Sequence, residues 1–191
     1  MLKRKIDKYL EEWKASVDKK PLIVKGARQV GKTASIRYFG EKYYNNIVEI
    51  NFALQPKYKQ IFANGYEVDS IIKNITLLNP TLVFVPHETL LFFDELQEYP
   101  DCATSLKSFK QDGRYDVICS GSLMGLYYQQ IESNSVGYKT DYEMYSLDFE
   151  EFLWAKGYDE HFIDDLYQHM LELKPLSNMQ MDVLGGLFSD Y

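Results

Sequence analysis

Cysteine is scarce in this chain: Cys102 and Cys119 are the only two. Two unpatterned cysteines give neither a disulfide framework nor a zinc site, and they fit a reducing compartment, the cytoplasm. Cys119 falls in the apolar run Val117, Ile118, Cys119 and reads as a buried free thiol. Long hydrophobic runs are missing as well. The longest, such as Leu82–Val85 and Leu90–Phe93, are strand-sized, so no membrane-spanning helix is expected. Residues Met1 to Leu10 are basic but lack the apolar stretch of a secretory signal. Histidine is rare. His161 and His169 share a helix face with Asp165, but two histidines two turns apart cannot converge on one ion, and the group reads as exposed polar surface. Positive charge is in deficit, with a net charge of −7, which argues against nucleic-acid binding by the whole domain. The deficit is uneven. Lys3, Arg4, Lys5, Lys8, Lys14, Lys19 and Lys20 crowd the start, whereas Lys156 and Lys174 are the only Lys or Arg after Asp141.

What is present is enough for a hydrophobic core without staples, at 191 residues. Ile6, Tyr9, Leu10 and Trp13 recur at helical spacing, so residues 3–17 read as an amphipathic helix. Strands are expected at Leu22–Val24, Asn46–Phe52, Thr89–Phe93, Asp116–Ser120 and Asp141–Ser146. Helical segments are expected at about Lys32–Tyr44, Gln55–Ala63, Glu67–Leu78, Ser105–Lys110 and Gly121–Gln130, and beyond Asp148, which reads as an N-cap. Two more helices are expected, at Asp159–Leu173 and Pro175–Phe188, and Ser133–Thr140 reads as a mobile loop. Thr89–Phe93 is continuously apolar, the mark of a strand buried on both faces. Strand and helix alternate, which predicts a parallel α/β sheet with helices on both sides.

Gly26-Ala27-Arg28-Gln29-Val30-Gly31-Lys32-Thr33 matches the phosphate-loop pattern G-x-x-x-x-G-K-[ST]. Glycines let the backbone turn tightly and bring its N–H groups close to phosphate oxygens. The following helix aims its N-terminal amides and dipole at the same anion. Lys32 is expected to reach the β- and γ-phosphates and Thr33 to ligate Mg²⁺. Arg28 and Gln29 belong to the nucleotide-binding loop but are not fixed by the general pattern and are given no catalytic role.

Leu90-Leu91-Phe92-Phe93-Asp94-Glu95 places two carboxylates at the C-terminal end of a buried strand, the edge where ligands bind in such sheets. Asp94 fits the Walker-B role toward Mg²⁺, and Glu95 the role of general base toward water. This pairing points away from small-molecule kinases, whose nucleophile comes from a substrate, and the chain has no Asn-Lys-x-Asp segment of the GTPase kind. Ser120 or Ser122, where a strand runs into a polar turn, can reach the γ-phosphate or the water, and Ser122 is equally well placed as a helix N-cap. Asn51 ends the strand after the phosphate-loop helix. It can hold Glu95 away from the water, or it can serve as turn chemistry.

These segments, together with Leu96-Gln97, Ser120-Gly121-Ser122-Leu123 and Tyr145-Ser146-Leu147-Asp148-Phe149-Glu150-Glu151-Phe152-Leu153, occur in an order that resembles the prokaryotic AAA+-like P-loop ATPases. In that family the ATPase core is followed by a C-terminal domain of unknown function. The resemblance implies a three-layer α/β P-loop NTPase sandwich with a five-stranded parallel sheet in the order 5-1-4-3-2. It implies ATP and Mg²⁺ as ligands and roles for Lys32, Thr33, Asp94, Glu95 and a sensor serine. Many members carry an arginine just after the loop glycine before the fifth strand. Here Tyr138 and Lys139 follow Gly137, so no arginine finger is placed there.

The expected organisation is an N-terminal helix over 1–20, an ATPase core over 21–157 and helices over 158–191 leading into a C-terminal domain that this chain lacks. The chain ends at Tyr191 without a clear cap, as a piece of a longer protein would. The expected function is Mg²⁺-dependent ATP hydrolysis. The alternatives are a nucleotide-gated switch with negligible turnover and a nucleic-acid-associated ATPase acting through the basic N-terminal helix. A homo-oligomer, or a protein or nucleic-acid partner engaged through the C-terminal domain, completes the expectation.

Overall fold

The computed structural model describes residues 2–122 and 135–191. The expected helix after Ser122, with Tyr127 and Tyr128, and the first part of the expected loop lie outside the described residues. The chain divides into two compact units, Tyr9–Ser146 and Met1–Lys8 together with Leu147–Tyr191.

The larger unit is built on a sheet of β1 (Leu22–Lys25), β2 (Asn46–Asn51), β3 (Thr89–Asp94), β4 (Asp116–Gly121) and β5 (Thr140–Glu143). The strands lie in the order β2-β3-β4-β1-β5, and every neighbouring pair is parallel. This is the expected 5-1-4-3-2 arrangement with helices on both faces. All six residues of β3 are buried, which is why its sequence does not alternate.

Side-chain alternation divides the core in two. Ile23, Ile50, Leu91, Phe93, Val117 and Cys119 belong to one cluster with residues of α3 (Val68–Leu78), α4 (Ser105–Asp112) and the 3₁₀ segment Pro56–Phe62. Their strand neighbours Leu22, Val24, Leu90, Phe92 and Ile118 are equally buried but point to the other face. There α2 (Lys32–Tyr43) packs so closely that a Cβ on Gly40 would stand 2.6 Å from Ile47 Cδ1 and 3.1 Å from Leu90 Cδ2. The helix α1 (Lys5–Ala15) buries Ile6, Leu10 and Trp13 as its spacing predicts, and Trp13 donates from Nε1 to the Lys20 carbonyl at 2.7 Å.

Boundaries shift where side chains intervene. The helical segment expected at Gln55–Ala63 is the 3₁₀ helix Pro56–Phe62, which opens on Pro56. The fifth strand covers Thr140–Glu143, not Asp141–Ser146. The apolar stretch Leu82–Val85 forms no strand: Phe84 meets Tyr115 edge-on, and the Val85 N–H donates to Thr89 Oγ1 at 2.9 Å.

In the second unit, α5 (Phe149–Ala155) opens on a capping box. Asp148 accepts from the Glu151 N–H at 2.9 Å, and Glu151 accepts in return from the Asp148 N–H at 3.2 Å. Helices α6 (Glu160–Leu171) and α7 (Asn178–Asp190) follow. The basic N-terminus meets acidic partners here. Lys3 pairs with Glu160 at 2.5 Å, Arg4 with Glu151 at 3.0 Å, and Lys5 with both Asp148 at 2.7 Å and Glu150 at 2.8 Å.

Candidate functional site

The site forms where β1, β3 and β4 end. β1 runs into Gly26, whose φ is +154°. The exit from β5 lies against it, with the Met144 N–H donating to the Lys25 carbonyl at 2.7 Å. A Cβ on Gly26 would stand 2.0 Å from the Met144 carbonyl oxygen, so only glycine fits. Ala27, Arg28 and Gln29 follow in the loop, Val30 is buried, and Gln29 adopts a left-handed φ of +64°. Gly31, at φ +101°, is the N-cap of α2 and offers no side chain to cap it. The positive end of the α2 dipole therefore opens onto the loop.

Lys32 is 9% exposed, and its ammonium lies along the loop, donating to the carbonyls of Gly26 at 3.0 Å and Ala27 at 2.6 Å. Burial pushes its pKa below the ordinary lysine value, opposed by the charges of Glu95 and Asp94. An ammonium with little water around it, turned back on backbone carbonyls, is poised to exchange them for a stronger anionic partner.

Asp94 is the hub. It is 3% exposed. Its Oδ2 accepts from Thr33 Oγ1 at 3.2 Å and from Asn51 Nδ2 at 3.0 Å. Its Oδ1 accepts from the Ser120 hydroxyl and, at 3.0 Å, from the Glu95 N–H. The sheet register sets this up. Asn51 lies directly opposite Asp94 across β2–β3, and Ser120 follows Cys119, the partner of Phe93, across β3–β4. Buried carboxylate oxygens are costly unless they are hydrogen-bonded, and these donors satisfy them.

Asn51 is thus directed to Asp94. Its other end is engaged too, with Oδ1 accepting from the N–H groups of Ala53 at 3.0 Å and Leu54 at 2.8 Å. Its side chain meets Asp94 and not Glu95, because the register puts Asn51 level with residue 94. The turn chemistry expected of it is present.

Glu95 leaves the strand in a left-handed conformation, φ +58° and ψ +50°, and heads a 3₁₀ turn over Leu96–Glu98. Its carboxylate accepts from the Gln97 side chain through Nε2. Gln97 Oε1 in turn accepts from the Ser122 N–H at 3.1 Å. Sequence reasoning gives Gln97 no role of its own, and its only signal there is an amide two residues after the acidic pair. Ser122 enters the site through its backbone, while its possible N-cap role lies outside the described residues.

The residues read from the sequence therefore divide plainly. Lys32, Thr33, Asp94, Ser120 and Asn51 form one connected set with the Gly26–Thr33 loop, Glu95 joins it through its backbone N–H on Asp94, and Gln97 links the Glu95 carboxylate to Ser122. Among the described residues no three His, Cys, Asp or Glu side chains cluster as a metal cage. Nor is any helix there long and apolar enough to cross a membrane.

No curated protein matches the sequence. Among solved structures, a C. elegans PCH-2 chain superposes with TM-score 0.48 and 12% identity, over 82% of this chain and 48% of that one. A chain of a Thermotoga maritima RuvB variant superposes with TM-score 0.48 and 15% identity, over 81% of this chain and 50% of that one. The chain spans about half the length of each. A family model described as an AAA domain matches residues 18–153, a stretch that holds the whole sheet and every site residue named above, and the chain belongs to that AAA family, with an AAA+-like P-loop ATPase core.

Proposed function

We propose that this chain is an ATPase module that binds ATP·Mg²⁺ at Gly26–Thr33 and hydrolyses the nucleotide with Glu95 as general base. The observation that supports this most is the joining of Thr33, Asn51 and Ser120 on the one carboxylate of Asp94, beside Glu95 and at the mouth of the loop. Loop amides from Ala27 to Thr33 and the Lys32 ammonium would bind the phosphates, Lys32 exchanging the Gly26 and Ala27 carbonyls for them.

The Thr33 hydroxyl and Asp94 carboxylate, 3.2 Å apart, are two hard oxygen donors with the chemistry that Mg²⁺ prefers. A cage of protein ligands is not needed, because Mg²⁺ keeps waters and takes phosphate oxygens. When bound, it would neutralise charge developing on the β- and γ-phosphates. Glu95 orients a water and takes its proton as the water oxygen bonds to the γ-phosphorus and the bond to the ADP oxygen breaks. Ser120 fixes Asp94, and Ser122, directly after the end of β4, would face the γ-phosphate. The core over 21–157 carries this chemistry, and the two cysteines, both free, suit the cytoplasm.

A switch with negligible turnover is the second reading. It is favoured by Tyr138, which follows Gly137 where an arginine finger would be sought, and by the next residue, Lys139, being paired with Asp141. The nucleic-acid reading is the least supported, because Lys3, Arg4 and Lys5 are paired with acidic side chains. The deciding experiment is phosphate release from ATP with Mg²⁺ and with EDTA. Turnover only with Mg²⁺ supports hydrolysis. Tight ATP·Mg²⁺ binding without turnover supports the switch, and no binding removes both.

A further inference from the structure

The hydrolytic reading gives Glu95 a chemical task but does not say what aims it. Glu95 is half-exposed and lies beyond the end of β3, so the sheet ladder does not hold its side chain. Its left-handed backbone turns the following residues back, and Leu96, fully buried, anchors that turn. The turn closes by hydrogen bonds from Glu98 N–H to the Glu95 carbonyl at 2.9 Å and from Tyr99 N–H to the Leu96 carbonyl at 3.1 Å. Gln97 is thereby fixed at its backbone between Glu95 and the end of β4.

Both ends of its amide are engaged, and the orientation follows from chemistry alone. A carboxylate only accepts, so the NH₂ must face Glu95; a peptide N–H only donates, so the carbonyl oxygen must face Ser122. The end of β4 therefore reaches both carboxylates of the site: Asp94 directly through the Ser120 hydroxyl, and Glu95 through Gln97.

We propose that Gln97 is a positioning residue that couples the Ser122 end of β4 to the carboxylate of Glu95, so that a shift of that strand end on nucleotide binding re-aims the base. The proposal rests on the hydrolytic reading. Gln97 touches neither nucleotide nor water. It acts by restricting the rotamers of a side chain that otherwise turns freely.

The test uses Gln97→Glu, which keeps the shape but cannot donate to Glu95 as a carboxylate, and Gln97→Met, which keeps the length and removes both hydrogen bonds. Each is made alone and together with Glu95→Gln. ATP·Mg²⁺ affinity, single-turnover hydrolysis and thermal unfolding are measured on the whole chain. Expected are affinities within about twofold of the parent and single-turnover rates lower by about tenfold or more, a fraction of what a general base contributes. Adding either change to Glu95→Gln should lower the residual rate by less than about twofold, because residues acting as one unit are non-additive. A merely structural glutamine would lower the rate equally in both backgrounds, and that result overturns the proposal, as does full activity in both variants. If Glu95→Gln itself hydrolyses like the parent, or the parent does not hydrolyse ATP, the hydrolytic reading falls and the coupling with it. If Glu95→Gln is inert and only the Gln97 results fail, the coupling alone is lost.

Discussion

The hydroxyl of Thr33 lies 3.2 Å from Oδ2 of Asp94, so the first turn of α2 and the last residue of β3 share one carboxylate. The two residues are 61 apart in sequence, and only the parallel order of β1, β4 and β3 brings them together. That carboxylate also receives Asn51, Ser120 and the Glu95 N–H. The acidic residue thus holds the site together.

Asp94→Asn should therefore weaken the fold as well as Mg²⁺-dependent binding. An amide offers a donor where Asp94 offers only acceptors, leaving at least one buried donor facing another. A loss of about 1–3 kcal/mol is expected in denaturant unfolding without nucleotide. Unchanged unfolding would mean that these hydrogen bonds do not hold the site.

Ser120→Ala removes one donor to the same buried carboxylate without adding a rival group. Hydrogen bonds to charged groups contribute about 1.5–3 kcal/mol, so denaturant unfolding should move by that order. The hydrogen bond of Ser122 to Gln97 runs through its backbone N–H and should survive Ser122→Ala.

Gly26→Ala tests the loop entrance. The added methyl meets a backbone carbonyl at 2.0 Å, and φ +154° suits only glycine. Strain of this kind costs roughly 1–3 kcal/mol, and the clash adds to it. Thermal unfolding should drop clearly. Gly65→Ala, at φ +104° with no neighbour within 4 Å, should show the smaller strain penalty alone.

Lys32 supplies a pH dependence with a definite sign. Burial lowers its pKa in the folded chain below 10.5, so between the two values the unfolded chain binds more protons. Its contribution to folding stability should rise as pH climbs through that window. Anion affinity should move the other way, falling on the alkaline side before 10.5 as the ammonium is lost. Titration of ATP affinity against pH, with Lys32→Ala as the control that lacks this limb, checks the sign.

Much of this was legible in the sequence, for local reasons. The Gly26–Thr33 pattern spells out a turn, an amide cradle and a lysine within one short stretch of neighbouring residues, and the buried run ending in Asp94 and Glu95 marks a strand and its functional end. What the sequence did not disclose depends on register and on backbone sign. Asn51 meets Asp94 rather than Glu95 because β2 and β3 align those two positions. Gln97 reaches Glu95 because residue 95 adopts a left-handed conformation that few residues other than glycine take.

The central claim is that binding and hydrolysis use different residues of one site. Single-turnover ATP hydrolysis beside equilibrium ATP·Mg²⁺ binding, for the parent chain and Glu95→Gln, tests it most directly. The account predicts that Glu95→Gln binds as tightly as the parent and loses hydrolysis by about a hundredfold or more, the scale of a general base. Hydrolysis by Glu95→Gln at the parent rate would contradict it.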